Sequence, residues 1–441
     1  MKNNKVVRIF IAVIVAVVLA IAAFIGGFFA GKANKSGIVG TYDWVTDLII
    51  KNYVGGDVTE DDIKNVTLEG INSLLDRYST YYTAEEYAAE YAQSQGSMKG
   101  IGVSFSYIPE GASELGSGIH IEKVVLNSPA FESGLKEGTF VTGARVGEET
   151  TLFDTLDSFS AFMSALPDDE DFTLITDRGE YTMARRAYTA SYCIMSTAET
   201  TYSVTYQGNF MNIVETDGGI SYLPEDTAYL RLTEFYGNAV QEFSELVRIF
   251  NQQGCTSLIL DLRGNGGGYV DVMCNLSGIF LGQLPSAGNV AMSAKYKNGR
   301  TLEYAVKGVD DQYTLPASTE VKVLADNGTA SASEALMGVL ISNDVISYDD
   351  VYLTDFSEDY LTYSGTTQKN CSTYGKGIMQ QTFVNGSSGE ALKLTVAKIY
   401  WPDGTCIHDR GIRAEDGCHT LYSYWSVTYG DEQLKSLFEG V

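Results

Sequence analysis

An uncharged apolar run near the start of the chain constrains the rest of the molecule more than any other feature. The 22 residues 9–30 contain no charged side chain, and at ~1.5 Å per residue they form a helix of ~33 Å, which is long enough to cross a bilayer. Lys2, Lys5 and Arg8 precede the run, so the positive-inside rule predicts that the residues beyond it lie outside the cytoplasm. A cleaved signal peptide with its site at residues 20–22 is the alternative, although the apolar run continues past that site and favours a retained anchor. We therefore expect a single-pass membrane protein anchored by residues 9–30.

The composition excludes several classes of function. The 441 residues contain 56 acidic and 30 basic side chains, which gives a formal net charge of −26. Binding to nucleic acids needs clustered Lys and Arg to displace counterions, so we expect no nucleic-acid partner. The chain has three histidines and no H-E-x-x-H or C-x-x-C motif, so we expect neither a metal nor a cofactor. Cys406 and Cys418 are close enough in sequence to pair in an exported protein, and the sequence leaves that pairing open.

The order of the sequence patterns predicts a multidomain fold of the α/β class, in which α and β elements also form separate domains. Residues 1–35 are the cytoplasmic stub and the anchor. Residues 36–95 carry apolar side chains at helical spacing behind helix-start signals at Thr59 and Thr83, which predicts a small helical domain. Residues 96–187 combine short strand patterns with two short helices and predict a compact β domain. Residues 188–441 alternate strands and helices, which predicts a layered α/β domain.

One candidate for chemistry is a turn between a strand and a helix. Residues 327–334, with the sequence NGTASASE, join a buried strand at residues 321–325 to an apolar helix. A turn of small residues lets a serine hydroxyl stand clear of its neighbours, and the N–H groups at a helix start can stabilise an oxyanion. An ordinary helix cap is the alternative interpretation of Ser and Thr at such a position.

A second candidate is a lysine between two glycines. Lys376 follows Gly375 and precedes Gly377, so little side-chain crowding prevents it from turning inward. A desolvated lysine loses its proton more readily and can act as a general base toward a serine. Gln380 follows four residues later and could orient the amine. A solvent-facing loop lysine is the alternative.

A third candidate is the glycine-rich turn at residues 261–268, with the sequence DLRGNGGG, which closes a buried strand. The turn has neither the placement of G-x-G-x-x-G nor a G-K-[ST] ending, which argues against nucleotide binding. A glycine-rich turn can instead present a bare backbone N–H to a carbonyl oxygen. A plain tight turn is the alternative.

Together the three segments resemble the motifs of the carboxy-terminal processing peptidases, the tail-specific Ser-Lys proteases with a PDZ domain. The family's S-A-S-E segment matches residues 331–334, its G-K-G-x-x-Q segment matches residues 375–380, and its D-[LV]-R-x-N-x-G-G segment matches residues 261–268. The resemblance implies that Ser331 is the nucleophile, Lys376 the general base and Gln380 its orienting partner. It also implies that the N–H groups of Gly267 and Ala332 bind the oxyanion.

The resemblance extends to the compact β domain and to the end of the chain. Gly100, Ile101, Gly102 and Val103 look like the loop with which the family's PDZ domain binds the C-terminal carboxylate of a substrate. Residues 394–398 and 401–404 look like the family's closing strands.

The function implied is that of a membrane-anchored, extracytoplasmic serine endopeptidase that recognises C-terminal tails and cleaves through an acyl-enzyme. Its partners would be protein or peptide substrates with apolar C-termini, and the helical domain is a candidate homodimer surface. A non-catalytic scaffold that binds peptide C-termini is the alternative, which the joint presence of Ser331, Lys376 and Gln380 disfavours.

One departure from the family is an acidic, Tyr-rich insert at about residues 347–371, which places Lys376 45 residues after Ser331. We interpret the insert either as a solvated hairpin or as a loop that gates the base.

Overall fold

The structure, a computed structural model, describes residues 38–52, 58–110, 117–282, 290–355, 371–422 and 431–438. The predicted anchor at residues 9–30 and residues 356–370 of the insert lie outside the described residues. Within the described ranges, no helix is long and apolar enough to cross a membrane. The fold is a mixture of α-helices and β-sheets, and its contacts divide the chain into two units, Met1–Tyr81 and Tyr82–Val441.

The described part of the first unit contains two helices and the start of a short strand. The elements are α1 (Ile38–Asn52), α2 (Glu60–Asn72) and β1 (Thr80–Tyr82). Helix α2 begins at the predicted position because Thr59 caps it. The Thr59 hydroxyl accepts the amide of Asp62 at 3.1 Å, and the Asp62 carboxylate accepts the amide of Thr59 at 2.8 Å. The predicted helical character of this segment is confirmed.

The second unit begins with helix α3 (Ala84–Ser94), which starts at the predicted cap Thr83, and continues into a small β module at residues 97–189. The elements of the module are β2 (Ser97–Gly100), β3 (Val103–Ile108), β4 (Gly118–Val124), α4 (Pro129–Glu132), β5 (Phe140–Val146), β6 (Glu149–Leu152), α5 (Leu156–Ala165), β7 (Asp171–Thr176), β8 (Gly179–Ala184) and β9 (Arg186–Thr189). The antiparallel sheet has the order β3-β4-β5-β7-β8 with β6 beside β5, and β2 pairs separately with β9.

Alternation of apolar side chains and local capping explain the small β module. Phe172 and Leu174 on β7 point into its core, as expected for a strand with one buried face. They pack with Phe159 from α5 in one apolar cluster. The Ser128 hydroxyl caps α4 by accepting the amide of Phe131 at 3.1 Å. The predicted strands and the two predicted short helices are therefore present.

The remainder of the second unit is a layered α/β module built on an eight-stranded sheet. Its elements are β10 (Cys193–Ser196), β11 (Thr200–Gln207), β12 (Phe210–Asp217), β13 (Thr227–Leu232), α6 (Ala239–Gln253), β14 (Ser257–Asp261), α7 (Val270–Leu281), β15 (Val290–Tyr296), β16 (Thr301–Ala305), β17 (Glu320–Ala325), α8 (Ala332–Ser342), β18 (Val351–Asp355), β19 (Ile378–Val384), β20 (Ala391–Tyr400), β21 (His419–Tyr422) and α9 (Glu432–Ser436). The sheet order is β12-β11-β10-β13-β14-β17-β18-β21, and the neighbours from β13 to β21 are parallel.

Strand β18 corrects the prediction for the insert. Residues 351–355 are not part of a solvated hairpin, because they extend the central sheet in parallel with β17. Val351 and Leu353 are fully buried. The sequence analysis interpreted the whole insert as a solvated hairpin or a gating loop because it is rich in acidic residues and tyrosine. The buried alternate positions of the strand determine its place instead.

A second sheet closes the layered α/β module. Strands β20, β15 and β16 lie side by side, with β19 against β20, and all pairs are antiparallel. The predicted closing strand at residues 394–398 is part of β20. Trp401, which follows β20, is buried and packs on α8 at Gly338, where a Cβ would come within 2.2 Å of the indole ring. Glycine in the middle of this apolar helix therefore admits the indole.

Candidate active site

Two turns that follow neighbouring parallel strands meet at one edge of the central sheet. Strand β14 leads into the glycine-rich turn, and its parallel neighbour β17 leads into the serine turn. The carboxylate of Asp326 accepts the amide of Gly264 at 2.9 Å, and the amide of Ala330 donates to the carbonyl of Asn265 at 2.9 Å. The structure thus brings together two of the three segments that the sequence singled out, at the edge where α/β sheets commonly bind ligands.

Ser331 lies immediately before α8 in a strained backbone conformation. Its φ is +59° and its ψ is −112°, a region that costs a residue with a side chain about 1–3 kcal/mol. An ordinary N-cap has an extended backbone instead. Such strain persists where the surroundings over-determine the conformation, and it is common at active sites.

The carboxylate of Glu334 joins the serine turn to the lysine loop. One of its oxygens accepts the backbone N–H groups of Ser331 and Lys376, both at 2.9 Å. The other accepts the N–H of Gly375 at 2.7 Å and the hydroxyl of Thr373 at 2.6 Å. Glu334 is fully buried, and burial raises its pKa although these four donors oppose the rise. One side chain therefore fixes the backbones of both predicted catalytic residues.

The sequence analysis treated Glu334 only as part of a motif. The available signal was its spacing, because a glutamate three residues after a serine at a helix start is typical of a reciprocal cap. That spacing accounts for its bond to the Ser331 amide. It gives no indication of the bonds to residues 373–376, which lie about 40 positions further along the chain.

The loop around Lys376 fits closely against residues 408–411. Gly375 has a φ of +85°, and a Cβ there would lie 2.8 Å from the amide nitrogen of Gly411. A Cβ at Gly377 would lie 2.6 Å from the amide nitrogen of His408. Both flanking glycines are therefore needed for backbone contact, and not only for the freedom of the lysine that the sequence suggested. Lys376 itself is half-buried.

Gln380, the third residue of β19, donates from its side-chain amide to the hydroxyl of Thr395 on β20 at 3.1 Å. The pairing of β19 with β20 shifts register between Met379 and Gln380, which marks a β-bulge, a feature that often re-aims a side chain beside an active site. The orientation of the lysine amine by Gln380 stays a prediction.

Gly267 lies against the start of α8. Its φ is +97°, and a Cβ there would come within 2.7 Å of the amide nitrogen of Ala332 and 2.8 Å of the Cβ of Ser331. The two backbone segments that the sequence assigned to the oxyanion are therefore adjacent. The amide of Gly267, however, donates to the side-chain oxygen of Asn265 at 2.9 Å, a bond that the sequence analysis did not anticipate. Its role toward an oxyanion stays a prediction.

A buried ion-pair network fixes the beginning of the glycine-rich turn. The guanidinium of Arg263 donates to Asp261 at 2.9 and 2.6 Å and to Asp431 at 2.9 and 2.6 Å. Burial alone would raise the pKa of Asp261, but the charge and hydrogen bonds of Arg263 outweigh burial, and the pKa is lowered. Asp431, which precedes α9, stands 168 positions from Arg263. No local signal in the sequence could have identified it.

The predicted tail-binding residues lie where β2 ends and β3 begins. Gly100 is the last residue of β2 and Val103 the first of β3. Ile101 is buried, and its carbonyl accepts an amide of α4 at 3.0 Å. Gly102 has a φ of +79° and leaves no room for a Cβ beside Ser128. The loop is thus held against α4, and its binding of a carboxylate stays a prediction.

Cysteines and metal ligands add nothing to this site. Cys406 and Cys418, whose pairing the sequence left open, are not joined by a disulfide in the structure. In the part of the chain that the structure describes, no three His, Cys, Asp or Glu side chains are grouped to hold a metal ion.

Comparison with known proteins finds similar peptidases. Residues 226–346 match the model of peptidase family S41, a segment that contains the glycine-rich turn and the serine turn. A "Probable CtpA-like serine protease" of Staphylococcus epidermidis is 25% identical over 358 residues, which are 81% of this chain and 61% of that protein. The carboxyl-terminal-processing protease of Synechocystis sp. is 23% identical over 381 residues, 84% of this chain and 74% of that protein.

Similarity to solved structures concerns the fold alone. One similar structure is that of an S41 protease from Bacteroides fragilis NCTC 9343. The alignment covers 90% of this chain and 96% of that chain, with a TM-score of 0.53 and 15% identity. The chain spans about three fifths of the length of the Staphylococcus relative. The matched segment and these relatives support the resemblance of this chain to the carboxy-terminal processing peptidases of family S41.

Proposed function

We propose that this protein is a serine endopeptidase of the carboxy-terminal processing type, with Ser331 as nucleophile and Lys376 as general base. The observation that supports it most is the buried carboxylate of Glu334, which accepts the backbone amides of both residues at 2.9 Å. The strained φ of Ser331 supports it further. A scaffold that only binds peptides would need neither feature.

The reaction uses the residues as follows. The neutral amine of Lys376 accepts the proton of the Ser331 hydroxyl while the oxygen attacks the scissile carbonyl carbon. The amide of Ala332, at the start of α8, donates to the oxyanion. Gly267 contributes a second donor when its N–H turns from Asn265 toward the oxyanion or is shared with it. Lys376 then protonates the leaving amine, and an acyl-enzyme on Ser331 remains. Water attacks the acyl carbon and gives one proton to Lys376, which passes it to the departing Ser331 oxygen. The product leaves as a carboxylic acid and loses its remaining proton to solvent.

The substrates in this proposal are proteins or peptides with apolar C-termini. The small β module acts as a PDZ domain, and Gly100, Ile101, Gly102 and Val103 bind the terminal carboxylate through backbone N–H groups. Residues 9–30 anchor the protein in the membrane, with the catalytic part outside the cytoplasm. The first unit serves as the surface of a homodimer. Gln380 orients Lys376 from the point where the pairing of β19 with β20 shifts register.

The test compares two serines of one turn in the full-length protein. The substrate is an unstructured protein that ends in apolar residues, beside the same protein with an amidated tail. Ser331→Ala should abolish cleavage with the melting transition preserved. Ser333→Ala is the matched control, because its hydroxyl is buried and donates to the Asn265 carbonyl at 2.9 Å. Loss of that one bond, about 1 kcal/mol, should lower the rate by less than tenfold. Full activity of Ser331→Ala would refute the proposed mechanism.

A further inference from the structure

A cavity of about 450 Å³ lies between the small β module and the layered α/β module. Its walls are largely apolar, and its volume falls within the range of small-ligand sites. None of the predicted catalytic residues and none of residues 100–103 lines it. The cavity is therefore separate from the site of cleavage and from the predicted tail-binding loop. Its main apolar lining residues are Leu126, Phe131, Leu135, Ile194, Ile220 and Leu434.

The acidic groups on the cavity wall already have partners. Glu137 accepts both terminal nitrogens of Arg231, at 3.2 Å each. Asp431 accepts two hydrogen bonds from Arg263, at 2.9 and 2.6 Å. Neither carboxylate is therefore available to bind a cation.

The basic groups on the same wall keep unused donors. Lys136 is exposed and forms no ion pair with any residue that the structure describes. Among the residues that the structure describes, the guanidinium of Arg231 donates only to Glu137, and its Nε–H, shielded from solvent, has no acceptor there. A buried donor without an acceptor is unfavourable. The lining of the cavity thus combines positive charge with apolar side chains.

We propose that this cavity binds a small ligand with an apolar body and a single carboxylate. The carboxylate binds at Lys136 and at the guanidinium of Arg231, and the apolar body lies along Phe131, Ile220 and Leu434. Two sources share this chemistry: the C-terminal end of a short apolar peptide, and a short fatty acid. A neutral amide can accept the same donors through its carbonyl oxygen, but it lacks the charge that strengthens these hydrogen bonds and binds more weakly.

The cavity is linked to the glycine-rich turn. Arg231 stands opposite Asp261 in the pairing of β13 with β14, and Asp431 reaches Asp261 through Arg263. Asp261 is the first residue of the turn that carries Gly267. A carboxylate that binds Arg231 competes with Glu137 for the guanidinium. A shift of Arg231 away from Glu137 is transmitted through the pairing with Asp261 to the glycine-rich turn. On the proposed function, ligand binding therefore changes kcat more than KM.

Binding is tested on the full-length protein carrying Ser331→Ala, so that its result does not depend on cleavage. Calorimetric titration uses four probes: hexanoate, hexanamide, acetyl-Leu-Val with a free carboxylate, and its amide. We expect at least one of the two carboxylate probes to saturate a single site. Its neutral counterpart should have a Kd that is higher by about tenfold or more. Binding of the peptide acid alone identifies peptide ends as the source, and binding of hexanoate alone identifies fatty acids. Binding of both supports the shared chemistry.

Two lysine variants locate the site. Lys136→Ala should weaken the bound carboxylate by about tenfold. Lys99→Ala is the matched control, because Lys99 belongs to the same module, is outside the cavity lining and pairs with Asp168 at 2.7 Å. It should leave the affinity unchanged. Equal binding of acids and amides, no binding of any probe, or equal effects of the two variants would overturn the proposal.

Discussion

Replacing Glu334 with glutamine tests whether one buried carboxylate assembles the active site. The substitution keeps the size and shape of the side chain, and removes its charge and one acceptor oxygen. Glu334 accepts three backbone amides and the hydroxyl of Thr373. Glutamine has one acceptor oxygen, and its NH₂ group must face the two donors that the other carboxylate oxygen now accepts.

The size of the effect follows from that count. Two hydrogen bonds to a charged acceptor are lost, each worth about 1.5–3 kcal/mol, so the total is about 3–6 kcal/mol. Part of the lost interaction energy appears as a lower free energy of unfolding. The rest appears as a weaker constraint on the relative position of the Ser331 and Lys376 backbones. If half of the loss appears in the transition state, the rate falls by about 10- to 100-fold, since about 1.4 kcal/mol corresponds to tenfold. Glu334 touches no substrate in this scheme, so KM should change little.

The assay measures kcat and KM with the tailed substrate and unfolding in urea for the same preparation. Glu242→Gln is the matched control, because Glu242 is also a fully buried glutamate that accepts two backbone amides and a hydroxyl. Its partners are Tyr192, Cys193 and Tyr206, away from the serine and lysine loops. It should lower stability with little change in kcat. A folded Glu334→Gln protein with the kcat of the wild type would refute the positioning role.

Two further outcomes are expected. Lys376→Arg should be inactive at every pH from 6 to 10, because a guanidinium keeps its proton. The cleavage rate of the wild type should instead rise with pH. Measurable activity of the arginine variant would exclude Lys376 as the base. Burial raises the pKa of Glu242 to about 7, against the opposing hydrogen bonds from Tyr206, Tyr192 and Cys193. The folded state then holds a proton that the unfolded state has released between about pH 4.5 and 7, so the free energy of unfolding should fall as pH rises through that window, by about 3 kcal/mol. Urea unfolding at pH 5 and pH 8 should show this fall in the wild type and not in Glu242→Gln, and identical pH dependence in both would contradict it.

Local signals in the sequence predicted the elements that local physics determines. Helix α6 lies in the segment where the sequence predicted alternating strands and helices, because its apolar side chains recur on one face and Gly254, with a φ of +70°, ends it. The caps at Thr59 and Thr83 set the starts of α2 and α3 in the same way. The strands that flank the serine and glycine-rich turns were predicted from short apolar runs. Each of these features depends on residues within a few positions of one another.

The features that were missed depend on residues far apart in the chain. The bonds from Arg263 to Asp431 and from Arg231 to Glu137 span 168 and 94 positions. Strand β18 was missed within the insert because the insert as a whole is rich in acidic residues and tyrosine, although Val351 and Leu353 of the strand are buried beside β17. The interpretation of Gly375 and Gly377 was incomplete, because both glycines also admit the backbone of residues 408–411.

The strain at Ser331 and the burial of Glu334 are best understood together. A left-handed serine and an uncompensated buried carboxylate are each unfavourable. Here the same hydrogen bond relieves both, since the Ser331 amide is one of the donors that stabilise the Glu334 charge. The remaining donors come from the loop that carries Lys376, so the carboxylate is satisfied only when that loop is in place. An apolar residue at position 334 would pack without this requirement and would leave the two loops independent. The buried charge therefore makes the conformation of the nucleophile conditional on the position of the base.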